Sequence, residues 1–354
     1  MKFFFTLFLS FCIATVSLAQ KDTSKNVTSV FTYAVDAYYR YDFANAPNGD
    51  INNKTSFTNS ANSFELGMAS VRMDHTTGKV GATIDLGFGR RAEEFSYNDK
   101  SILASIKQLF VSYAPFNKLK FTFGKFATHI GYESVDAYAN RNYSMSYAFS
   151  YGPFFYTGIK ADFTVSKSSA IMIGIANPTD YSTTTSTGKI YIAQWSIVTQ
   201  NAKLKAYLNY QGGTNNVAFN ADARYFLNQL DWIMNYAFND KFSVVYDGTV
   251  QSRKAEVSGA SLKIWSSNVI YLNYDPRTVW GLTLRCEYLN DQDNVIGIGS
   301  RVFIPTLSVN YRVHNLTIIP ELRLDKASAT IFSRGDGTSV KNAGSFLLAL
   351  TYKL

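Results

Sequence analysis

The sequence predicts an all-β chain, a transmembrane antiparallel β-barrel of about sixteen strands, with fourteen to eighteen compatible with the pattern. Three observations predict it. Charged residues make up only 17% of the 354 residues, against roughly 25% in soluble domains, while aromatics reach 16%. Mean hydropathy is −0.08, and beyond the N-terminus no run of about 20 apolar residues occurs, so helices cannot carry the chain across a membrane. Segment after segment alternates apolar and polar residues, and the connections between segments alternate short and long. The 46% apolar content excludes a disordered chain, and two cysteines are too few for a disulfide scaffold.

The first element is a targeting segment. Lys2 supplies a basic start, Phe3 to Val16 an apolar stretch, and Ser17-Leu18-Ala19 a small-x-small cleavage site. Residues 1–19 are therefore expected to be a signal peptide, leaving one exported barrel domain over 20–354. A lipoprotein anchored through Cys12 fits poorly, because bulky Phe11 precedes the cysteine inside the apolar stretch. Cleavage leaves only Cys286, so no intramolecular disulfide can form. The formal charge is +8, but the bases are scattered with no run longer than Arg90-Arg91, which excludes nucleic acid as a partner.

The strands follow in order. Phe31, Tyr33, Val35, Ala37, Tyr39 and Tyr41 share one face while Thr32, Asp36 and Arg40 share the other, the period of two that defines a two-faced strand. The same alternation is clear over 80–88, 155–165, 202–211, 226–238, 241–251, 279–289, 316–325 and 344–354, and weaker over 62–73, 105–114, 118–127, 169–177, 189–199, 259–274 and 301–313. Short connections fall at Asp74 to Gly78, Pro115 to Asn117, Ser166 to Ser168, Gln200-Asn201, Asn239-Asp240, Asp275 to Arg277 and His314-Asn315. Longer ones fall at 42–61, 90–104, 128–153, 178–188, 212–225, 252–258, 290–300 and 326–343. Alternating short turns and long loops, with both termini on the short-turn side, are the pattern of an outer-membrane barrel.

A soluble sandwich or propeller also alternates, and period alone does not separate its solvated exterior from a wet lumen. The export signal, the aromatic excess, the alternating loop lengths and the apolar last strand together favour the barrel. Tyr39, Tyr41, Trp280 and Tyr288, at strand ends, are expected in the interfacial girdles.

Ile106 to Glu133 (IKQLFVSYAPFNKLKFTFGKFATHIGYE) and Pro153 to Phe163 (PFFYTGIKADF) resemble the putative β-barrel porin-2, OmpL-like family, as do Leu282 to Asp293 (LTLRCEYLNDQD) and Asn315 to Asp325 (NLTIIPELRLD). The order of these pieces spans nearly the whole mature chain. The resemblance implies an outer-membrane porin and supplies no agreed substrate. One departure is the end of the chain, Tyr352-Lys353-Leu354, where outer-membrane strands commonly finish in Phe.

A sixteen-strand barrel is too wide for side chains to fill and leaves an aqueous channel unless loops obstruct it. The expected function is passive diffusion of small polar solutes or ions. The alternative is a non-conducting barrel acting as adhesin, secretion accessory or structural anchor. The polar faces predict pore-lining charges at Asp36, Arg40, Asp85, Lys160, Asp162, Lys203, Lys205, Asp231, Asp247, Arg285, Glu287, Glu321, Arg323 and Asp325. Arg285 and Glu287, with the group Glu321, Arg323 and Asp325 two strands later, read either as a charge ladder orienting solute or as ion pairs that keep buried carboxylates satisfied.

The longest connection, 128–153, is the third external loop, the one that known porins fold inward. Glu133, Asp136 and Arg141 would then set a field at the constriction, and Tyr132, Tyr138, Tyr143, Tyr147 and Tyr151 could offer stacking faces to sugars. The competing reading is an exposed loop packed on its own aromatics. Enzyme chemistry finds no support: His75 and His314 fall in short turns, and His129 reads as a rim residue without a nucleophile beside it. Asn290 to Asn294 is oxygen-rich but lacks the spacing of a calcium loop, so neither metal nor cofactor is expected. Expected partners are outer-membrane lipid and lipopolysaccharide, the solutes themselves and further copies of the chain.

Overall fold

The computed structural model describes residues 27–46, 52–217 and 220–354. The segment read as a signal peptide, 1–19, lies outside them. Sixteen strands close into one antiparallel barrel: β1 (Val27–Asp42), β2 (Ser63–Thr77), β3 (Val80–Phe88), β4 (Ile106–Phe116), β5 (Leu119–Ala127), β6 (Phe155–Ser166), β7 (Ser169–Ala176), β8 (Ile190–Val198), β9 (Leu204–Val217), β10 (Asn220–Ala237), β11 (Phe242–Ala255), β12 (Lys263–Arg277), β13 (Trp280–Asn290), β14 (Arg301–Val313), β15 (Leu316–Ala327) and β18 (Asn342–Lys353). A two-residue ribbon, β16 (Phe332–Ser333) with β17 (Ser339–Val340), decorates the last external loop. Each barrel strand pairs with the barrel strands before and after it in the sequence, β15 meeting β18 across the ribbon's loop. β18 closes the barrel on β1, Asp36 opposite Thr351, and Leu354 N–H donates to Tyr33 O at 2.8 Å. Leu354 O in turn accepts Tyr33 N–H at 3.2 Å, so this pair extends the seam.

All sixteen expected segments form barrel strands, and the alternation sorts their faces as predicted over most of their length; Phe155, in phase with the exposed Ile159 and Phe163, is instead fully buried in a cluster with Phe57, Phe95 and Phe149. The outer face carries Val71, Ile84, Leu109, Phe123, Ile173, Trp195, Leu208, Leu230, Ile270, Leu322 and Leu350, all exposed. A soluble protein rarely exposes so continuous an apolar surface, and lipid is the solvent that accepts it. Trp280 and Tyr288 are exposed among them. No helix among the described residues is long and apolar enough to cross a membrane.

Four expectations shift, the first being the connection expected at Asp275 to Arg277, which is the end of β12, with the turn itself at Thr278-Val279. The connection at 212–225 is mostly strand, because β9 and β10 continue their pairing to Asn216 opposite Arg224. His75 lies within β2, not in a turn, and its ring nitrogens bond Ser29 Oγ at 2.8 Å and Thr77 Oγ1 at 2.9 Å. Lys203, expected on a strand face, sits in the turn before β9, where Ala202 adopts a left-handed φ of 55°.

Candidate functional site: a loop tied across the lumen

The loop 128–154 leaves β5, descends through the lumen towards the short-turn end and climbs back to β6. Gly131, at φ +85°, makes the inward bend in a region that L side chains rarely adopt. The walls then take the loop in sequence. Asp231 on β10 accepts Gly131 N–H at 3.2 Å, and Asp247 on β11 accepts Tyr132 N–H at 3.0 Å. Glu133 meets Arg285 on β13 at 2.6 Å, and its second oxygen accepts Ser146 N–H and Oγ–H at 2.8 Å each. Asp136 takes Lys107 Nζ of β4 at 2.5 Å, which also pairs with Asp85 of β3 at 3.0 Å.

At the lowest part of the loop, Tyr138 packs beneath the Lys353 ammonium, and Arg141 makes a bidentate pair with Asp275 at 2.9 and 3.0 Å. On the return, Glu321 of β15 accepts Tyr143 and Ser144 N–H at 2.9 and 3.2 Å, and Tyr143 OH donates to Asp36 of β1 at 2.5 Å. The short helix α2 (Tyr147–Ser150) begins with Ser146 Oγ accepting Phe149 N–H at 3.1 Å. Glu287 of β13 accepts Tyr147 and Ala148 N–H at 2.9 and 2.8 Å, meeting donors that an isolated helix start leaves unpaired.

These contacts decide how the predicted charges are used. Asp36, Arg40, Asp85, Asp231, Asp247, Arg285, Glu287, Glu321, Arg323 and Asp325 all face inward, but the loops cover them. Arg323 pairs with Asp325 at 2.7 Å and donates to Met145 O at 2.7 Å, and Arg40 donates to Ser60 O at 2.5 Å. The ladder on β13 and β15 is thus spent on the loop, not on the opposite wall. Lys160 and Asp162 remain partly exposed and Lys205 exposed on the inner face, with the exposed Lys120 directly opposite Asp162. Tyr143 and Tyr147 are fully buried and offer no stacking face, whereas Tyr151 borders open space.

Sequence reading missed the residues that pin the other external loops. Arg91, in helix α1 (Arg90–Phe95), is fully buried with its guanidinium 4.6 Å from the Tyr143 ring and 5.0 Å from Phe57. Lys107 escaped because β3 and β4 slip register at Asp85/Leu86, which turns an apparently outward position inward. Asp180 accepts Phe154 and Phe155 N–H at 2.7 and 3.0 Å and Tyr97 OH at 2.9 Å. Asp291 accepts Val295, Ile296, Ile298 and Gly299 N–H at 2.7 to 3.3 Å, so the oxygen-rich segment at 290–294 organises its own loop.

Burial pushes the Asp180 carboxyl up from 3.8 to about 6, against the pull of its donors and of Lys125. Between these values the folded state keeps a proton that the unfolded chain has released. That contribution is full below pH ~4 and is lost as pH rises through ~6, on the order of 3 kcal/mol. Wild type is therefore expected to hold this loop more firmly at pH 5 than at pH 7.5, and Asp180→Asn to remove the difference. Limited proteolysis of the external loops at the two pH values measures it; an unchanged pH dependence in the variant would refute the assignment. His129, at the root of the crossing loop, has Nε2 3.1 Å from Tyr210 O, and burial lowers it to about 4.

Above the loop, an external cavity of ≈ 1020 Å³ opens between Tyr151, Phe154, Gln211, Asn215, Tyr225, Gln251, Arg253 and Lys263. A family model for putative β-barrel porin-2, OmpL-like, matches residues 30–354. The chain belongs to this family. It is an outer-membrane porin, and the match extends over all sixteen barrel strands but the first few residues of β1. No curated protein matches this porin in sequence. Solved structures match its fold. The outer membrane channel DcaP of Acinetobacter baumannii is 13% identical over 95% of this chain and 100% of that one, with a TM-score of 0.62. An anion-selective porin from Comamonas acidovorans is 11% identical over 93% and 100%, at 0.61. OmpT of Vibrio cholerae, solved in a trimer form, is 11% identical over 93% and 100%, at 0.59.

Proposed function

We propose that this porin passes small hydrophilic solutes and ions by passive diffusion, with anions favoured, and that loop 128–154 sets its narrowest level. The observation that carries the reading is where the loop is tied. Beyond His129 at its root, which meets Tyr210 O of β9, its anchors reach β10 to β15, β1 and β4, whereas the inner face of β5 to β9 near the short turns keeps Lys120, Lys160, Asp162 and Lys205 in contact with water. Glu133, Asp136 and Arg141 act as struts of the constriction, each committed to a wall partner.

Single-channel recording of refolded 20–354 in a planar bilayer under a salt gradient tests the reading. Stepwise conductance with an anion-signed reversal potential is expected. One observation favours a second reading, a barrel serving as adhesin, secretion accessory or anchor. Between the external cavity and the internal half, Tyr156, Ile192, Leu227, Gln229 and Asp231 are each under a tenth exposed. Silence from protein that keeps its heat-dependent gel shift would select that reading.

The family and fold point to a channel and not to an enzyme. His129, neutral at working pH and turned to a backbone carbonyl, is given no catalytic role, and the reading requires no metal or cofactor. Residues 1–19 act as the export signal in this reading, and a mature N-terminus at Gln20 is the check. Lipid and lipopolysaccharide meet the apolar belt, and a homo-oligomer completes the proposal. Cross-linking in native membranes that yields only monomer removes the oligomer.

A further inference from the structure

The external cavity has a chemistry that a general diffusion pore does not need. Gln211, Gln229 and Gln251 stand directly opposite one another on β9, β10 and β11. Gln211 and Gln251 each donate to Gln229 Oε1, at 2.6 and 2.7 Å, and Gln229 donates to Thr249 Oγ1 at 2.8 Å. Tyr156 OH donates to Gln211 Oε1 at 3.0 Å, and Trp265 Nε1 to Gln251 Oε1 at 3.1 Å. A side-chain amide carries two N–H donors and two lone pairs. Gln211 therefore keeps one of each. Gln251, whose oxygen also accepts from Arg253 Nε, keeps one N–H. Both border the cavity while being 1% and 2% exposed, so their remaining groups are poorly met by bulk water.

Aromatic rings flank this amide floor, and each is held by its tip. Tyr225 OH accepts Asn215 Nδ2–H at 3.0 Å, and its ring lies 5.0 Å from the Arg253 guanidinium. Tyr151 OH donates to Lys54 O at 2.8 Å, and its ring stacks on Tyr147 at 6.0 Å and 15°. The acids at the rim are already engaged. Glu94 accepts Phe57 N–H and Asn59 Nδ2–H and pairs with Arg90, and Asp180 is committed to backbone donors.

We propose that this cavity binds a neutral oligosaccharide of two or three rings, an inference that rests on the porin reading because the cavity would be the first station of the route. Fixed aromatic faces suit the C–H faces of sugar rings, and sugar hydroxyls can both donate to and accept from the free amide positions. An apolar solute would strand the amide N–H groups, and an anionic one would have to turn from the amide floor to the rim bases Arg253 and Lys263, a competition that citrate tests. The volume lies at the upper end of the roughly 300–1,000 Å³ typical of small-molecule sites, more than one sugar ring requires.

Calorimetry of the full refolded barrel with maltotriose is the direct test, joined to bilayer recording with the sugar added from either side. Saturable heat is expected, with current blocked at lower sugar concentration from the external side. Tyr225→Ala is expected to weaken binding about tenfold, and Tyr225→Phe, which keeps the ring, to stay within about twofold. The heat-dependent gel shift certifies that each variant is folded. No heat from a folded barrel, equal affinity in Tyr225→Ala, or tighter binding of citrate than of maltotriose would each overturn the proposal. Binding without current keeps the saccharide site and removes the porin reading, whereas current without binding does the reverse.

Discussion

Replacing Arg285 by methionine is expected to raise single-channel conductance several-fold while lowering the temperature of the heat-dependent gel shift. Arg285 is fully buried on the inner face of β13, where it pairs with Glu133 at 2.6 Å and donates to Ser144 O at 2.6 Å. Methionine fills a similar volume but leaves the Glu133 carboxylate buried without its cation, a loss of about 3–5 kcal/mol. The barrel itself need not pay this, since its strands are held by their own ladders. The loop carries the loss, and its middle is expected to leave the wall. Glu133→Gln with Arg285→Met removes both charges, so the double variant should recover much of the gel-shift temperature. A coupling near zero in that cycle, or a conductance equal to wild type in the single variant, would mean that the pair does not hold a constriction.

The reason so many carboxylates tolerate the interior is that the loop supplies backbone N–H donors to them. Glu287, Glu321, Asp231 and Asp247 each receive at least one loop amide. Wall and loop are therefore one hydrogen-bonded unit, and a wall acid removed singly leaves loop amides unpaired in a site with little water.

The barrel was legible because a strand's faces follow from a period of two, and lipid on one side with a polar interior on the other makes that period visible in residue type. Lys107 was not, because a bulge inverts its side without changing the letters around it. Arg91 was not, because it belongs to a short helix in a loop, where no period announces which side is buried. Glu133, Asp136 and Arg141 were legible as loop charges, but their partners lie on strands from 29 to 152 residues away, and pairing at that distance leaves no mark in local sequence. Alternation also marks every inward charge alike. Burial separates the ion-paired majority from the few that meet water.

Those few predict the ion preference. Buried pairs such as Arg285–Glu133 and Arg323–Asp325 present little net charge to a passing ion. On the inner face of β5 to β9, the charges left in contact with water are Lys120, Lys160 and Lys205 against Asp162 alone, and Asp162 lies 3.4 Å from Lys160. A narrow lumen with low-dielectric walls concentrates such a field, which at 0.1 M salt reaches about 10 Å. Anions should therefore carry most of the current at low salt, with the preference fading towards 1 M. Changing Lys120, Lys160 and Lys205 together to glutamate leaves the four positions uniformly acidic, and the reversal potential is expected to change sign. The substitutions are in exposed or partly exposed positions, away from the loop's anchors, so the barrel should assemble and conduct. A reversal potential that keeps its sign in the triple variant would place the ion path elsewhere in the lumen, and the one-sided anchoring of the loop would no longer describe the route.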